Sequence, residues 1–173
     1  MDIFTALHTR RSVRKYTDEP VSKADVRRLL DAAMIAPSAG NAQPWQFIVV
    51  DDPELLHKVP DINPYAAMAP KSPVSIVVCG DTAAEKYPGF WVQDCSAAVQ
   101  NLLLAATGMG LGTVWTGIYP LEERVRGYRD LLGLPEHVVP LALVVVGRHE
   151  GTPEEKSRFD VAKVHHNRFG SDY

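Results

Sequence analysis

Residues 90–107 constrain the fold more than any other stretch of this chain. Across these eighteen positions Trp91, Ala97, Ala98, Leu102, Leu103 and Ala105 spread over most of a helical circumference, with Leu104 on a flank. A helix that is apolar on nearly every side must be covered on nearly every side, and a small domain has little material with which to do it. The pattern therefore points to a helix at a subunit interface, with a central helix covered inside the monomer as the alternative. Around it, 173 residues with 46% apolar and 23% charged side chains are enough for one domain, expected to run over 1–173.

Other elements follow from local signals. Ile3, Phe4 and Leu7 predict a short helix over residues 2–9. Ser22 reads as an N-cap for a helix carrying Asp25 in its first turn and Val26, Leu29, Leu30 and Ala33 on one face, ending before Pro37. Residues 45–50 read as a strand, and Asp52-Pro53 as the start of a helix through Leu55, Leu56 and Val59. The proline-rich stretch 61–73 is irregular, with Tyr65 and Met68 plugging the surface or covering a ligand. Residues 74–79 and 140–146 are β-branched strands, and 113–117 is a third. Leu121, Val125, Tyr128 and Leu132 mark a last helix, closed by Gly133. From His149 onward the chain is polar, a tail expected to be mobile or to wrap on a neighbour.

Two stretches carry chemistry. The first is Arg10-Arg11-Ser12-Val13-Arg14-Lys15, four strong cations besides a small hydroxyl in a chain of net charge −3. Guanidinium forks match phosphate geometry, so Arg10 and Arg14 flanking Ser12 make a phosphate seat, with a solvated basic turn at a helix C-terminus as the plainer reading. A second pair of cations, Lys156 and Arg158, lies far off in sequence. The other stretch is Pro37-Ser38-Ala39-Gly40-Asn41-Ala42-Gln43-Pro44-Trp45. Its small and prolyl residues let backbone approach a ligand closely, and Ser38, Asn41 and Gln43 bring groups suited to the carbonyl and imide edge of a heteroaromatic ring. Asn41 and Gln43 are as readily explained by loop backbone that they satisfy themselves.

Several function classes are excluded or disfavoured. Cys79 and Cys95 form no CxxC pair and sit in apolar context as buried thiols, and the six histidines show no metal-ligand spacing. The acidic balance argues against a nucleic-acid surface. The longest apolar run, 138–146, is too short to cross a bilayer and contains a proline, so no membrane partner is expected. The start, Met1-Asp2-Ile3-Phe4, lacks a signal-peptide core, which leads to the expectation of a cytoplasmic protein. Gly108-Met109-Gly110-Leu111-Gly112 follows a helix and opens a strand, the reverse of a dinucleotide fingerprint, and there is no Walker motif.

In order, the Arg-x-Ser-x-Arg turn, the capped helix, the Pro-Ser-x-x-Asn-x-Gln-Pro-Trp loop, a strand, the long apolar helix, Gly-x-Gly-Leu-Gly-Thr and the late Lys-Ser-Arg resemble the FMN-dependent nitroreductase family over essentially the whole chain. The resemblance implies an α+β fold with a mixed, mostly antiparallel central sheet flanked by helices, and an intertwined homodimer with FMN at the subunit interface. Arg10 and Ser12 match positions at the phosphate and ribityl end, Arg11 between them counts among the implied cofactor-binding residues, and Arg14 matches a cation near the pyrimidine edge of the flavin. Lys156 and Arg158 match a C-terminal phosphate clamp. Pro37, Ser38, Ala39, Asn41 and Gln43 match the loop supplied by the other subunit, and Trp115, Thr116 and Gly117 match a strand end lying against the ring. The length is that of the short members, which lack a helical cover over the flavin.

The implied activity is hydride transfer from NAD(P)H through FMN to an electron-poor acceptor such as a nitroaromatic or a quinone, in a ping-pong cycle. The chemistry then belongs to the cofactor, with Arg14 stabilising the negative charge that gathers near N1 and the C2 carbonyl on reduction, which fits the absence of any nucleophile and base constellation. Reductive dehalogenation or flavin fragmentation on the same fold stands beside it, as does a flavin-binding module without turnover.

Overall fold

The computed structural model describes residues 1–151 and 154–173. Five helices and four strands follow one another as α1 (Ile3–Thr9), α2 (Lys23–Met34), β1 (Trp45–Val50), α3 (Pro53–Ile62), β2 (Val74–Asp81), α4 (Trp91–Gly108), β3 (Gly112–Gly117), α5 (Glu122–Leu132) and β4 (Val138–Gly147). The strands make one sheet in the order β1-β2-β4-β3, and every pairing between them is antiparallel. The parallel component expected of a mixed sheet is confined, among the described residues, to a single bridge between Ser12 and Thr113.

Local chemistry fixes the helix ends. The Asp2 carboxylate accepts from the N–H groups of Phe4 and Thr5 at 3.0 and 3.1 Å, satisfying donors that α1 itself cannot. Ser22 Oγ accepts from the Asp25 N–H at 3.0 Å, and Asp52 does the same for Glu54 at 2.8 Å at the head of α3. Gly133, at φ +66°, closes α5 in the left-handed conformation.

The two central strands are apolar apart from Ser75 and Asp81 because both faces are covered, which hides the period-2 pattern an exposed strand would show. On one face Ile76, Val78, Val144 and Val146 pack with Leu29 and Ala33 of α2 and with α4. On the other, Val77, Leu143, Val145 and Val114 pack with Leu56 and Val59 of α3 and Tyr128 of α5. The result is a helix, sheet, helix sandwich. Pro140 is tolerated inside β4 because the register skips Leu141 there, a bulge that frees the Leu141 carbonyl to accept from Ile118 and Tyr119 at 3.0 and 3.1 Å.

Most of α4 is covered within the chain. Trp91, Asp94, Cys95, Ala98, Val99, Leu102, Leu103 and Ala106 are buried between α2 and the sheet, while Ala97, Leu104 and Ala105 are half-buried. A central helix covered within the monomer thus accounts for most of its girth, and the half-buried Ala97, Leu104 and Ala105 remain for the expected subunit interface. Uncovered apolar side chains lie elsewhere: Ile3, Phe4 and Leu7 on α1, Ile35 after α2, and Phe159 and Phe169 in the tail, the last two 76% and 93% exposed. Of the irregular stretch, Met68 is buried as a plug and Tyr65 stays on the surface. The tail from His149, whose residues 152–153 lie outside the described ones, is nearly all exposed and contains one 3-10 turn, Val161–Lys163. No helix among the described residues is long and apolar enough to cross a membrane.

Two predictions follow from this packing. A Cβ at Gly80 would stand 2.2 Å from Cε3 of Trp91, so Gly80→Ala must push the indole off the sheet. The expected cost is about 1–3 kcal/mol, seen as a lower urea midpoint at unchanged slope. Burial pushes the thiols of Cys79 and Cys95 up to about 12 from an ordinary 9.0, Cys95 also through its neighbours Cys79 and Asp94. The unfolded chain then loses these protons first, so the stability they contribute is complete below pH 9.0 and falls as pH rises toward about 12. Urea unfolding across that window is expected to lose stability faster in the wild type than in a Cys79→Ala/Cys95→Ala variant.

Candidate functional site

The basic stretch docks where β3 begins. Val13 N–H donates to the Thr113 carbonyl at 2.8 Å, and Ser12 bridges Thr113 in parallel. Close approach is possible because two glycines face each other across the sheet there, Gly112 on β3 and Gly147 on β4. A Cβ on Gly112 would meet Val13 Cγ1 at 2.7 Å, and one on Gly147 would meet the Tyr16 ring at 2.7 Å. The Tyr16 hydroxyl donates to the Val13 carbonyl at 2.7 Å, holding the turn against the sheet. Burial raises the Tyr16 phenol, partly offset by Arg14 beside it.

The tail reaches the same place. Lys156 N–H donates to the His8 carbonyl at 3.1 Å, and His8 Nδ1 lies 3.1 Å from the Lys156 carbonyl. Arg11 is the stitch: its guanidinium donates to the carbonyls of His8 and Arg10 at 2.9 and 2.7 Å and to that of Glu154. Arg11 is thus engaged by backbone, and differs in this from its expected place among ligand-facing cations. Arg14 makes only a long contact to the Ser12 carbonyl, 3.4 Å. Arg10, Arg14, Lys156 and Arg158 have no carboxylate partner among the described residues, although the chain carries 21 acids. Cations without a carboxylate partner are what an external anion needs.

Along the outer edge of β3 runs a row of free backbone groups. Because the Thr113 carbonyl points outward to Val13, antiparallel alternation turns the N–H and C=O of Trp115 and the N–H of Gly117 to the same edge. No described residue covers them. The Trp115 ring is 37% exposed. Thr116 is turned the other way, buried, with its hydroxyl donating to the Leu143 carbonyl at 3.2 Å. The far end of the edge is anchored by two residues without a signal in the sequence, Asn63 and Arg124, which both donate to the Gly117 carbonyl, at 3.3 and 2.9 Å. Arg124 also lies 5.2 Å over the Tyr65 ring.

The small-residue loop sits at the opposite side of the sheet, ahead of β1. Its 3-10 turn, Ala39–Asn41, contains Gly40 at φ +58°, and Asn41 and Gln43 are left-handed at φ +54° and +51°. Such a cluster of positive φ stores strain of about 1–3 kcal/mol per non-glycine residue. The Ser38 hydroxyl accepts from the Gln43 N–H at 3.0 Å, so it is Ser38, not Asn41 or Gln43, that satisfies loop backbone. Pro37, Asn41 and Gln43 are exposed, with Ser38 and Ala39 half-buried. Lys86 donates to the Gly40 carbonyl, and Asp94 on α4 accepts from the Ala39 N–H at 2.9 Å.

The structure therefore docks Ser12 and Val13 at the start of β3, ties the backbone of Lys156 to His8 just ahead of Arg10, and keeps 37–43 at the far edge of the sheet. β1 and β3 are the two edges of the sheet, three strand spacings or about 14 Å apart. No described group of three or more His, Cys, Asp or Glu side chains could hold a metal.

Comparison with known proteins agrees with this frame. The description of the Nitroreductase family matches residues 7–148. A provisionally named NADH dehydrogenase/NAD(P)H nitroreductase of Methanothermobacter thermautotrophicus is 51% identical over 165 residues, 95% of this chain and 86% of that protein. An FMN reductase [NAD(P)H] of Bacillus subtilis is 29% identical over 95% of this chain and 73% of its own length. The solved FMN-dependent nitroreductase of Clostridium difficile superposes with a TM-score of 0.87 at 29% identity, over 96% of this chain and 99% of that one. With the match running from α1 to the end of β4, the chain belongs to the nitroreductase family.

Proposed function

We propose that this chain is an NAD(P)H-dependent flavin oxidoreductase that reduces electron-poor acceptors such as nitroaromatics or quinones, its site completed by a second copy of itself. The observation that carries this reading is that the C-terminal tail is tied by backbone at Lys156 to His8, next to the basic stretch that docks at the head of an open strand edge. A flavin mononucleotide needs these two features: cations for a phosphate of about two negative charges, and a flat flank with directed backbone donors for the ring. In this reading Arg10, Ser12, Lys156 and Arg158 hold the phosphate, while the N–H groups of Trp115 and Gly117 orient the ring. The names of the Bacillus subtilis and Clostridium difficile relatives support the same cofactor.

FMN supplies hydride acceptance and release at its N5. The chain does the rest: Arg14, near enough to Tyr16 for its charge to be felt there, adds positive charge that favours the reduced coenzyme over the oxidised one. The loop 37–43 lies at the far edge of its own sheet, so its exposed Asn41 and Gln43 amides would serve the flavin of the partner chain. A single open slot would then receive nicotinamide and acceptor in turn, a ping-pong order. The exposed α1 face and the aromatic tail give two copies an apolar surface to share.

In anaerobic stopped flow the purified protein is expected to bleach with NADH or NADPH and to recolour when a nitroaromatic or quinone is added. Bleaching by neither nucleotide would contradict the reading. Lys156→Ala/Arg158→Ala is expected to weaken FMN binding by several kcal/mol at most, since a charged hydrogen bond is worth about 1.5–3 kcal/mol. Unchanged flavin content of the variant after dialysis would show that the tail cations hold something else.

A further inference from the structure

Asp94 is the one buried carboxylate among the described residues, 5% exposed, on the face of α4 that also buries Trp91, Cys95 and Ala98. An acid in the first turn of a helix complements the helix dipole, but it does that equally well in water, where no desolvation has to be offset. Asp94 reaches inward instead. Its Oδ1 accepts from the Ala39 N–H, 55 residues away, and its Oδ2 is buried with no hydrogen-bond partner among the described residues. The peptide it grips opens the strained turn that carries Gly40, Asn41 and Gln43 at positive φ. Above the same turn Lys86 donates to the Gly40 carbonyl, and the Lys86 and Tyr87 side chains fill the space a Cβ would need. The turn is thus held from both sides, by a buried anion on its N–H and by an exposed cation on its carbonyl. Strained backbone persists only where its surroundings over-determine it.

We propose that Asp94 is a positioning residue for the flavin: by holding the Ala39 N–H it fixes the left-handed path that aims Asn41 and Gln43 at the cofactor. This rests on the function proposed above. Loss of the bond frees the turn to relax toward ordinary backbone angles. The amides of Asn41 and Gln43 then sample other directions, and the flavin meets a mobile wall.

The test removes each half of the bond separately. Asp94→Ala deletes the acceptor. Ala39→Pro deletes only the donor: Ala39 opens the turn, where proline is suited, and Ser38 before it is at φ −141°, ψ 151°, compatible with a following proline. FMN is titrated into apoprotein by quenching of flavin fluorescence, and the circular dichroism of the bound flavin bands is recorded. Each variant is expected to raise the FMN Kd about tenfold and to change the visible dichroism, and the double variant to lose no more than either alone. Asn101→Ala, which deletes a bond from α4 to the Ala32 carbonyl, is expected to lower the Tm while leaving the Kd within about twofold and the dichroism unaltered. A wild-type Kd in Ala39→Pro overturns the proposal even if Asp94→Ala fails to fold, and so do losses that multiply in the double variant. Parallel loss of affinity in Asn101→Ala would reduce Asp94 to a structural role and overturn it too. Wild-type protein that takes up no FMN would overturn the proposed function and this proposal with it, whereas wild-type uptake with unaltered variants overturns this proposal alone.

Discussion

The hydrogen bond from the Val13 N–H to the Thr113 carbonyl, made over two facing glycines, sets the position of everything else at the proposed site. It lays the basic stretch along the end of the sheet, so that the head of β3 becomes cationic while the rest of its outer edge stays open. The tail then needs only a short stitch at His8 to bring Lys156 to the same corner. Without Gly112 and Gly147 the side chains of Val13 and Tyr16 could not lie where they do, and the cations would stand off from the strand. Sterics at two backbone positions thus precede any electrostatics.

A second constraint is the width of the sheet. The cations and the open edge belong to β3, the polar loop to β1, and two strands separate them. A ligand that needs both groups has to be met by two chains, which turns a question about a binding site into one about assembly. The apolar side chains left uncovered on α1 and in the tail lie outside the sandwich, so that surface is available without disturbing the core.

Much of the fold was legible from residues alone. Caps at Ser22 and Asp52, the spacing of Ile3, Phe4 and Leu7, the glycine after α5 and the β-branched runs mark most of the elements to within a residue or two, because these signals are local. The covering of α4 was not legible: periodicity says that a helix is buried, not by what, and here α2 and the sheet do most of it. The cluster at the head of β3 could be foreseen as a charge excess, but the roles within it could not. Arg11 and Thr116 look like ligand-facing residues in sequence and are occupied by carbonyls in the fold. Asn63, Asp94 and Arg124 act across 54, 55 and 7 residues on single peptide groups, and for the first two no pattern in the sequence registers a partner so distant. A lone acid on an apolar helix face was the signal available for Asp94.

In the function proposed above, one flavin site is built from two chains. Sedimentation velocity recorded at once for protein and for flavin absorbance, over a dilution series, tests it most directly. Flavin absorbance is expected to travel only with a species of two chains and to be released as that species dissociates. Flavin that stays with a single chain on dilution, or protein that never carries flavin at any concentration, would contradict it.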